Sequence, residues 1–255
     1  MKKASLLALI LLPLGVGSSA FAQQTAADNA INAGTTSPWQ VTFNAGAQSD
    51  YVFRGISQTN GHTSGFAGAD VIYQKDWYVG AWTSNVDFSP SGDAHTSQEY
   101  DVYGGWRPTL AGISFDLGYI YYGYRNQPRN IRESYAEGYL RGTRAFGPLT
   151  LGGTAAYSPN FPGIAKHALY IEGNIAYVIS AAWSASAAWG RQFESDATQL
   201  PDRDRQDFNY STWNAGISYA INEHTLLDLR YWDTSQHAAG DIYQSRVVAA
   251  IKATF

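Results

Sequence analysis

The chain has 255 residues, no cysteine, 25 glycines and 18 tyrosines, and only 15% of its residues are charged. The lack of cysteine excludes disulfides as a source of stability, and a net charge of −4 argues against nucleic acid as a partner. Mean hydropathy is −0.27, which is too polar for a bundle of membrane helices. It is typical of a chain that crosses a membrane as strands.

Residues 1–22 have the features of a secretory signal peptide. Two lysines precede a short apolar run that ends in an A-x-A cleavage site at residues 20–22. A membrane anchor is the alternative, but the run is short for a spanning helix and contains Pro13. We expect cleavage after Ala22, which removes two of the 17 basic residues and leaves a net charge of −6.

The segment that follows, residues 23–37, is small and polar and is predicted to be a flexible leader. From Pro38 to Phe255, polar and apolar residues alternate with a period of two, as in strands with one apolar face. Twelve such segments are predicted, at 38–53, 64–74, 76–86, 98–107, 112–124, 133–145, 148–158, 167–179, 181–193, 208–221, 223–233 and 242–255.

The connections between these segments alternate in length. Short ones such as QKD, FGPL and INEH alternate with longer polar ones such as DFSPSGDAHTSQ. Short periplasmic turns and long outer loops over an even number of strands are typical of outer-membrane barrels. We therefore predict an all-β fold for 38–255, an antiparallel up-and-down transmembrane β-barrel of about 12 strands in the bacterial outer membrane, surrounded by lipid and lipopolysaccharide.

Parity within each segment predicts which side chains face the lumen. Apolar residues such as Val41, Leu151 and Leu229 share the outward parity, whereas eight acidic and six basic residues fall on the inward one. This balance predicts at most a mild preference for cations, or a closed lumen if the charges pair. The candidate lumen or constriction residues are Asp50, Arg54, Asp70, Asn85, Glu99, Asp101, Asp116, Glu137, Arg141, Glu172, Asp228, Arg230 and Arg246, and Arg107 and Lys252 share the inward parity.

Outward aromatic residues are predicted to form two interfacial belts. The belt near the short turns contains Trp39, Tyr73, Trp77, Trp106, Tyr177, Trp183, Tyr219 and Phe255. The belt near the long loops contains Tyr51, Tyr100, Tyr121, Tyr157, Trp189, Tyr231 and Tyr243. A soluble protein with an aromatic core is the alternative. Phe255 also resembles the terminal signal that outer-membrane barrels present to the barrel-insertion machinery.

Two stretches resemble a known family. FNAGAQSDYVFRGISQT, at 43–59, and WYVGAWTSNVDF, at 77–88, are similar to blocks of the TorF-type porins of proteobacteria (Gcw_chp). The resemblance implies an outer-membrane barrel with a pore role and brings no substrate, catalytic residue or cofactor. Asp50 and Arg54 are expected to pair with each other or with charges on neighbouring strands, either fixing the rim or lining a constriction, and Gly55 permits a tight exit into the first outer loop.

No residue pattern supports an enzyme, a metal site or a cofactor. The five histidines have no metal-ligand spacing, and no outward strand histidine has a serine partner. The acidic loop at 194–207 is either a divalent-cation site that bridges lipopolysaccharide or a solvated surface loop. The predicted function is passive diffusion of small hydrophilic solutes. The alternative is a closed, nonconducting barrel that acts through its loops as an adhesin, a receptor or an envelope-stabilising protein.

Overall fold

The computed structural model describes residues 37–129, 132–162, 166–195 and 209–255. The predicted signal peptide, nearly all of the leader and residues 196–207 of the acidic loop lie outside these described residues.

The described residues form fifteen strands, twelve of them long. The strands are β1 (Trp39–Gln48), β2 (Val52–Phe53), β3 (Ile56–Ser57), β4 (Ser64–Tyr73), β5 (Trp77–Asn85), β6 (Gln98–Trp106), β7 (Thr109–Leu110), β8 (Ile113–Arg125), β9 (Tyr135–Phe146), β10 (Leu149–Ser158), β11 (His167–Val178), β12 (Trp183–Ser195), β13 (Tyr210–Ala220), β14 (Thr225–Thr234) and β15 (Arg246–Thr254). Short 3₁₀ turns lie at Ser89–Ser91, His237–Ala239 and Asp241–Tyr243. Among the described residues, no helix is both long enough and apolar enough to cross a membrane.

The twelve long strands close into a single barrel. Each pairs antiparallel with its neighbours along the chain, and β15 pairs back to β1. At this seam the backbone amide of Phe43 donates to the carbonyl of Phe255 at 2.9 Å, and the amide of Phe255 donates to the carbonyl of Phe43 at 2.8 Å. The predicted fold, a twelve-stranded antiparallel barrel of outer-membrane type, is therefore confirmed.

The two faces of the wall have opposite chemistry. On β1 the outward side chains of Val41 and Phe43 are 53% and 55% exposed, whereas the inward Thr42 is fully buried. On β14 the outward Leu229 is 50% exposed and the inward Arg230 is 2% exposed. An apolar exterior around a polar interior is the reverse of a soluble protein and matches a wall that faces lipid.

Two residues of the predicted long-loop belt do not belong to it. Strand β1 ends at Gln48, five residues before the predicted end, because the chain bends at residues 49 and 50 and turns inward. Tyr51 is consequently only 2% exposed and packs inside the barrel. Tyr243 lies in a 3₁₀ turn before β15 and is half-buried rather than on an outward strand face.

Candidate lumen site

Residues 50–59 fold into the barrel from the long-loop end of β1, and we call them the lumen hairpin. Strands β2 and β3 pair through Val52 with Ser57 and Phe53 with Ile56. Arg54 and Gly55 form the two-residue turn with φ values of 48° and 84°, and two successive positive φ values are typical of a type I′ turn. The sequence prediction of Gly55 as an exit into an outer loop was wrong, because the chain reverses there inside the lumen.

The base of the lumen hairpin is fixed by Asp50. Its carboxylate accepts hydrogen bonds from Ser57 Oγ at 2.6 Å and Thr59 Oγ1 at 2.8 Å. Its other oxygen forms an ion pair with Arg246 Nη1 of β15 at 2.6 Å. Asp50 and Arg54 are therefore not paired with each other, and Asp50 ties both arms of the hairpin to the adjacent wall.

The tip of the lumen hairpin reaches the far wall. Arg54 Nη1 and Nη2 donate to Glu137 Oε1 and Oε2 at 2.8 and 2.7 Å, and Nη1 also donates to Gln192 Oε1 at 3.2 Å. The guanidinium carbon lies 4.2 Å from the centre of the Tyr170 ring. Glu137 is on β9 and Tyr170 on β11, each five strands from β1 around the ring, so Arg54 spans the lumen.

Gly55 is required where the tip touches the wall. A Cβ atom at this position would lie 2.3 Å from Thr212 Oγ1 on β13 and 2.6 Å from Thr234 Cγ2 on β14. Those separations are far below van der Waals contact, so only glycine fits here. The tip therefore also contacts the part of the barrel wall formed by β13 and β14.

A second cluster surrounds Asp116 near the short-turn end. Tyr78 donates its hydroxyl hydrogen to Asp116 at 2.7 Å and also contacts the hydroxyl of Tyr139. Arg107 Nε and Arg141 Nη1 lie 3.9 and 3.7 Å from the same carboxylate. The two guanidinium groups also lie over the rings of Tyr78 and Tyr139, at 3.8 and 4.3 Å. The Asp116 carboxylate thus lies close to two guanidinium groups.

A third cluster surrounds Arg230 on β14. Its guanidinium donates to Asp228 at 3.2 and 3.1 Å, to Asn214 at 2.6 Å and to Ser186 at 2.8 Å. Ser218 donates to the same aspartate at 2.8 Å. This cluster links three neighbouring strands and has no net charge.

Three acidic residues line the part of the wall formed by β4, β5 and β6, one on β4 and two on β6. Asp70, Glu99 and Asp101 are 1%, 1% and 6% exposed and point inward. Glu99 accepts a hydrogen bond from the hydroxyl of Tyr51, in the lumen hairpin, at 3.1 Å. The tip and one arm of the hairpin therefore each contact an acidic residue of the wall.

Asn85 does not belong to the interior, and its prediction as a lumen residue was wrong. It is exposed on the outward parity of β5. Its side chain accepts from the amide of Gly65 at 2.8 Å and donates to the carbonyl of Thr63 at 3.3 Å. The inward residue at this level is Ser84, because one step along a strand reverses the facing.

Uncharged residues of the site were missed by a sequence analysis that followed charges. Tyr170 and Gln192 both lie on the inward parity of their predicted segments, so that parity was the signal that could have found them. Tyr170 donates to Glu172 at 2.7 Å, and Asn174 donates to the same carboxylate at 3.3 Å. The ring of Tyr170 lies across Gly190, where a Cβ would come within 2.2 Å of its hydroxyl. A glycine on the next strand thus provides the space for the aromatic wall of the site.

The loop between β5 and β6 is organised by Asp93. Its carboxylate accepts from the amides of His95 and Thr96 at 2.8 and 3.2 Å and from the hydroxyl of Thr96. Burial acts to raise the pKa of Asp93, but these hydrogen bonds outweigh it and lower the pKa below its usual value. Within the described part of the chain, no group of three or more histidine or carboxylate side chains could hold a metal ion.

Known structures share the barrel. The KdgM porin, solved in complex with disordered oligogalacturonate, superposes with a TM-score of 0.54 at 10% identity over 84% of this chain and 98% of that one. The NanC porin gives a TM-score of 0.54 at 10% identity over 85% of this chain and 99% of that one. At this identity the likeness establishes the fold alone. No curated protein matches the sequence.

A family model does match, over residues 32–255, and it is described as a bacterial protein of unknown function (Gcw_chp). The match covers every described strand and both stretches that carried the resemblance. It does not include the finer TorF-type label. The chain therefore belongs to the Gcw_chp family.

Proposed function

We propose that the protein is an outer-membrane channel through which small hydrophilic solutes diffuse, with the lumen hairpin as its constriction. The observation that carries this proposal is the hydrogen-bonded hairpin that crosses a polar interior within an apolar wall. A polar lining can replace the hydration of a passing solute, and charges at the narrowest level set the selectivity. The signal-peptide pattern at 1–22 supports export to that membrane.

Different parts of the interior are buried to different degrees. The side chains of Asp116 and Arg141, near the short turns, are 14% and 13% exposed. Those of Arg54 and Glu137 are 3% and 2% exposed. We infer that the lumen is narrowest at the Arg54–Glu137 ion pair and more hydrated around Asp116 and Arg141.

A closed, nonconducting barrel is the second candidate, and the near-complete burial of the Arg54–Glu137 pair favours it. Planar-bilayer recordings separate the two functions. We expect conductance steps from the wild-type protein and larger steps when residues 52–57 are replaced by two glycines. If neither protein conducts, the channel proposal is abandoned in favour of the closed barrel. If the protein conducts, the swelling of liposomes in sugars, amino acids and organic acids of increasing size measures the width of the channel.

The same proposal assigns partners to the outside of the barrel. Lipid and lipopolysaccharide surround the apolar wall, whose aromatic residues include Trp77 and Trp189, 54% and 53% exposed. Phe255, 62% exposed at the short-turn edge, is proposed to contact the insertion machinery. Phe255→Ala, which keeps the backbone hydrogen bonds to Phe43, should reduce the fraction of barrel that assembles in cells, as measured by heat-modifiable migration, while refolding of the purified chain into detergent stays largely unchanged.

A further inference from the structure

Arg54 occupies a site that the wall builds without the lumen hairpin. The carboxylate of Glu137 is supplied by β9, the amide oxygen of Gln192 by β12 and the aromatic face of Tyr170 by β11. Tyr122 of β8 donates to Glu137 at 3.3 Å. We call these four residues the guanidinium cage.

The chemistry of the guanidinium cage is specific for a planar cation. A carboxylate that meets two parallel N–H groups matches the fork of a guanidinium, and an aromatic face attracts the same cation. A second carboxyl group lies nearby, because Asp101 is directly opposite Tyr122 in the register of β6 and β8. A compact ammonium ion could pair with the carboxylate of Glu137 but could not donate two parallel hydrogen bonds to it.

The cage is held in place by contacts that do not involve Arg54. The hydroxyl of Tyr170 is fixed by Glu172 at 2.7 Å, and its ring lies over Gly190. Glu137 is oriented by Tyr122. Because these contacts belong to the wall, Tyr170 and Glu137 keep their partners when the tip of the hairpin leaves the cage.

Arg54 is an imperfect occupant. Its φ of 48° places an arginine in the left-handed region, which is strained for a side chain of this size. Its buried Nε has no hydrogen-bond partner among the described residues. A free guanidinium group carries neither the backbone strain nor the fixed approach.

We propose that the guanidinium cage is a binding site for solutes that carry a guanidinium group, and that Arg54 fills it as a tethered internal ligand. A guanidinium solute that enters the lumen competes with Arg54 for Glu137 and displaces the tip of the hairpin. Binding at the cage is a property of the wall, whereas its role in passage rests on the proposed channel function.

In the test, substitution of Arg54 empties the guanidinium cage, and a guanidinium compound is added in solution. Purified Arg54→Ala barrel in detergent is heated with millimolar methylguanidinium, with methylammonium at equal concentration as the charge control. Unfolding is followed by the loss of heat-modifiable migration. We expect methylguanidinium to raise the unfolding temperature of Arg54→Ala by roughly 3 °C or more, since ligand bound to the folded state stabilises it. The double variant Arg54→Ala, Glu137→Gln should show no such rise.

Each result decides the inference. An equal rise in the single and double variants, or no rise in either, overturns it. If Arg54→Ala does not fold, Arg54→Gln enters the same assay, because its side chain fills more space but is neutral and leaves the Glu137 carboxylate open to methylguanidinium. Bilayer recordings on the same samples keep the two proposals apart. Binding without conductance supports the cage proposal and contradicts the channel function. Conductance without binding supports the channel function and contradicts the cage proposal.

Discussion

Arg54 makes a bidentate ion pair, an amide hydrogen bond and an aromatic contact, all inside the barrel. Its charge is removed from water and is compensated chiefly by Glu137. A buried pair of this kind contributes little compared with an apolar pair of the same shape. Removal of one partner, however, leaves an uncompensated charge at a cost of about 3–5 kcal/mol. The ion pair with Glu137 is therefore a strong constraint on the position of the hairpin tip, together with the close contact of Gly55 with Thr212.

Glu137→Gln should release the tip of the lumen hairpin. The amide keeps the volume but removes the negative charge that holds the guanidinium, so Arg54 should move toward water. We expect more frequent or longer openings in single-channel recordings. Glu133→Gln, which lies just before β9 and has no contact with Arg54, is the matched control. Identical gating in Glu137→Gln and wild type would contradict the role of this ion pair.

At the residue scale, strand parity predicted which side chains point into the barrel, but it could not predict which of them form ion pairs or hydrogen bonds with one another. It placed Glu137, Asp228 and Arg230 on the inward side, where they are buried. It also gave Arg54, just past the predicted strand at 38–53, the same inward parity as Asp50. The bend at residues 49 and 50 turns the chain off the wall at Asp50 and carries Arg54 across the lumen. The pairing of Arg54 with Glu137 depends on that bend, and the alternation of polar and apolar residues does not predict where a bend occurs.

At the scale of elements, the lumen hairpin combines local turn chemistry with long-range contacts. The dipeptide Arg54-Gly55 supplies the glycine that a type I′ turn favours at its second position, but arginine is not a preferred first residue, so the local hairpin signal is weak. The sequence prediction ended the first strand at residue 53 and placed Gly55 at the exit into an outer loop. The direction of the hairpin, inward rather than into solvent, depends on Asp50, Glu99 and Glu137, which no local signal specifies.

Gly55→Ala should lift the hairpin tip off the wall, because its Cβ would collide with Thr212 and the backbone is left-handed. Gly61→Ala is the control, since Gly61 has a similar φ of 75° but nothing within 4 Å of a built Cβ. Trypsin acting on the folded barrel provides the measurement. We expect cleavage after Arg54 in Gly55→Ala and resistance there in wild type and in Gly61→Ala. Equal resistance in all three proteins would show that the contact with Thr212 is not what keeps the tip in place.

The loop between β5 and β6 should lose its order in acid. The pKa of Asp93 is lowered in the folded loop, so its carboxylate form favours the folded state. That contribution is present above the pKa of an unfolded aspartate, about 3.9, and is lost as pH falls through the lower folded value. NMR of the amides of His95 and Thr96 should report the change. In Asp93→Asn, which cannot titrate, the same resonances should stay unchanged across this range, and a matching transition there would assign the effect to another group.

At the scale of the whole molecule, the fold was accessible from sequence because one rule applies to every strand. Lipid requires apolar outward positions and the interior accepts polar ones, so all twelve predicted segments correspond to long strands, with ends that differ by a few residues. The largest error, at the end of β1, falls where the chain leaves the wall and the rule no longer applies. The packing of the interior follows from specific contacts, such as Tyr170 over Gly190, and is not predictable from alternation.

Leu229→Lys tests the lipid-facing wall. A charge at the middle of an outward strand face costs roughly 2–4 kcal/mol near the bilayer midplane and about 0–1 kcal/mol near the interface. Leu229 lies in the middle of β14, and Val247 lies at the long-loop end of β15. Urea unfolding of the barrel in lipid vesicles should therefore show a much larger loss of free energy for Leu229→Lys than for Val247→Lys. Equal losses would contradict a bilayer around this wall.

The seam between β1 and β15 has a consequence for biogenesis. Contacts there join distant positions such as Ser49 and Ala249, which are 200 residues apart along the chain. A nascent sheet that lacks either strand would present two open edges, and hydrocarbon offers no hydrogen bonds to unpaired peptide groups. Insertion strand by strand into bare lipid is therefore disfavoured. The two edges must be shielded until they meet, so a stalled or shortened chain should accumulate as a water-soluble intermediate or be degraded.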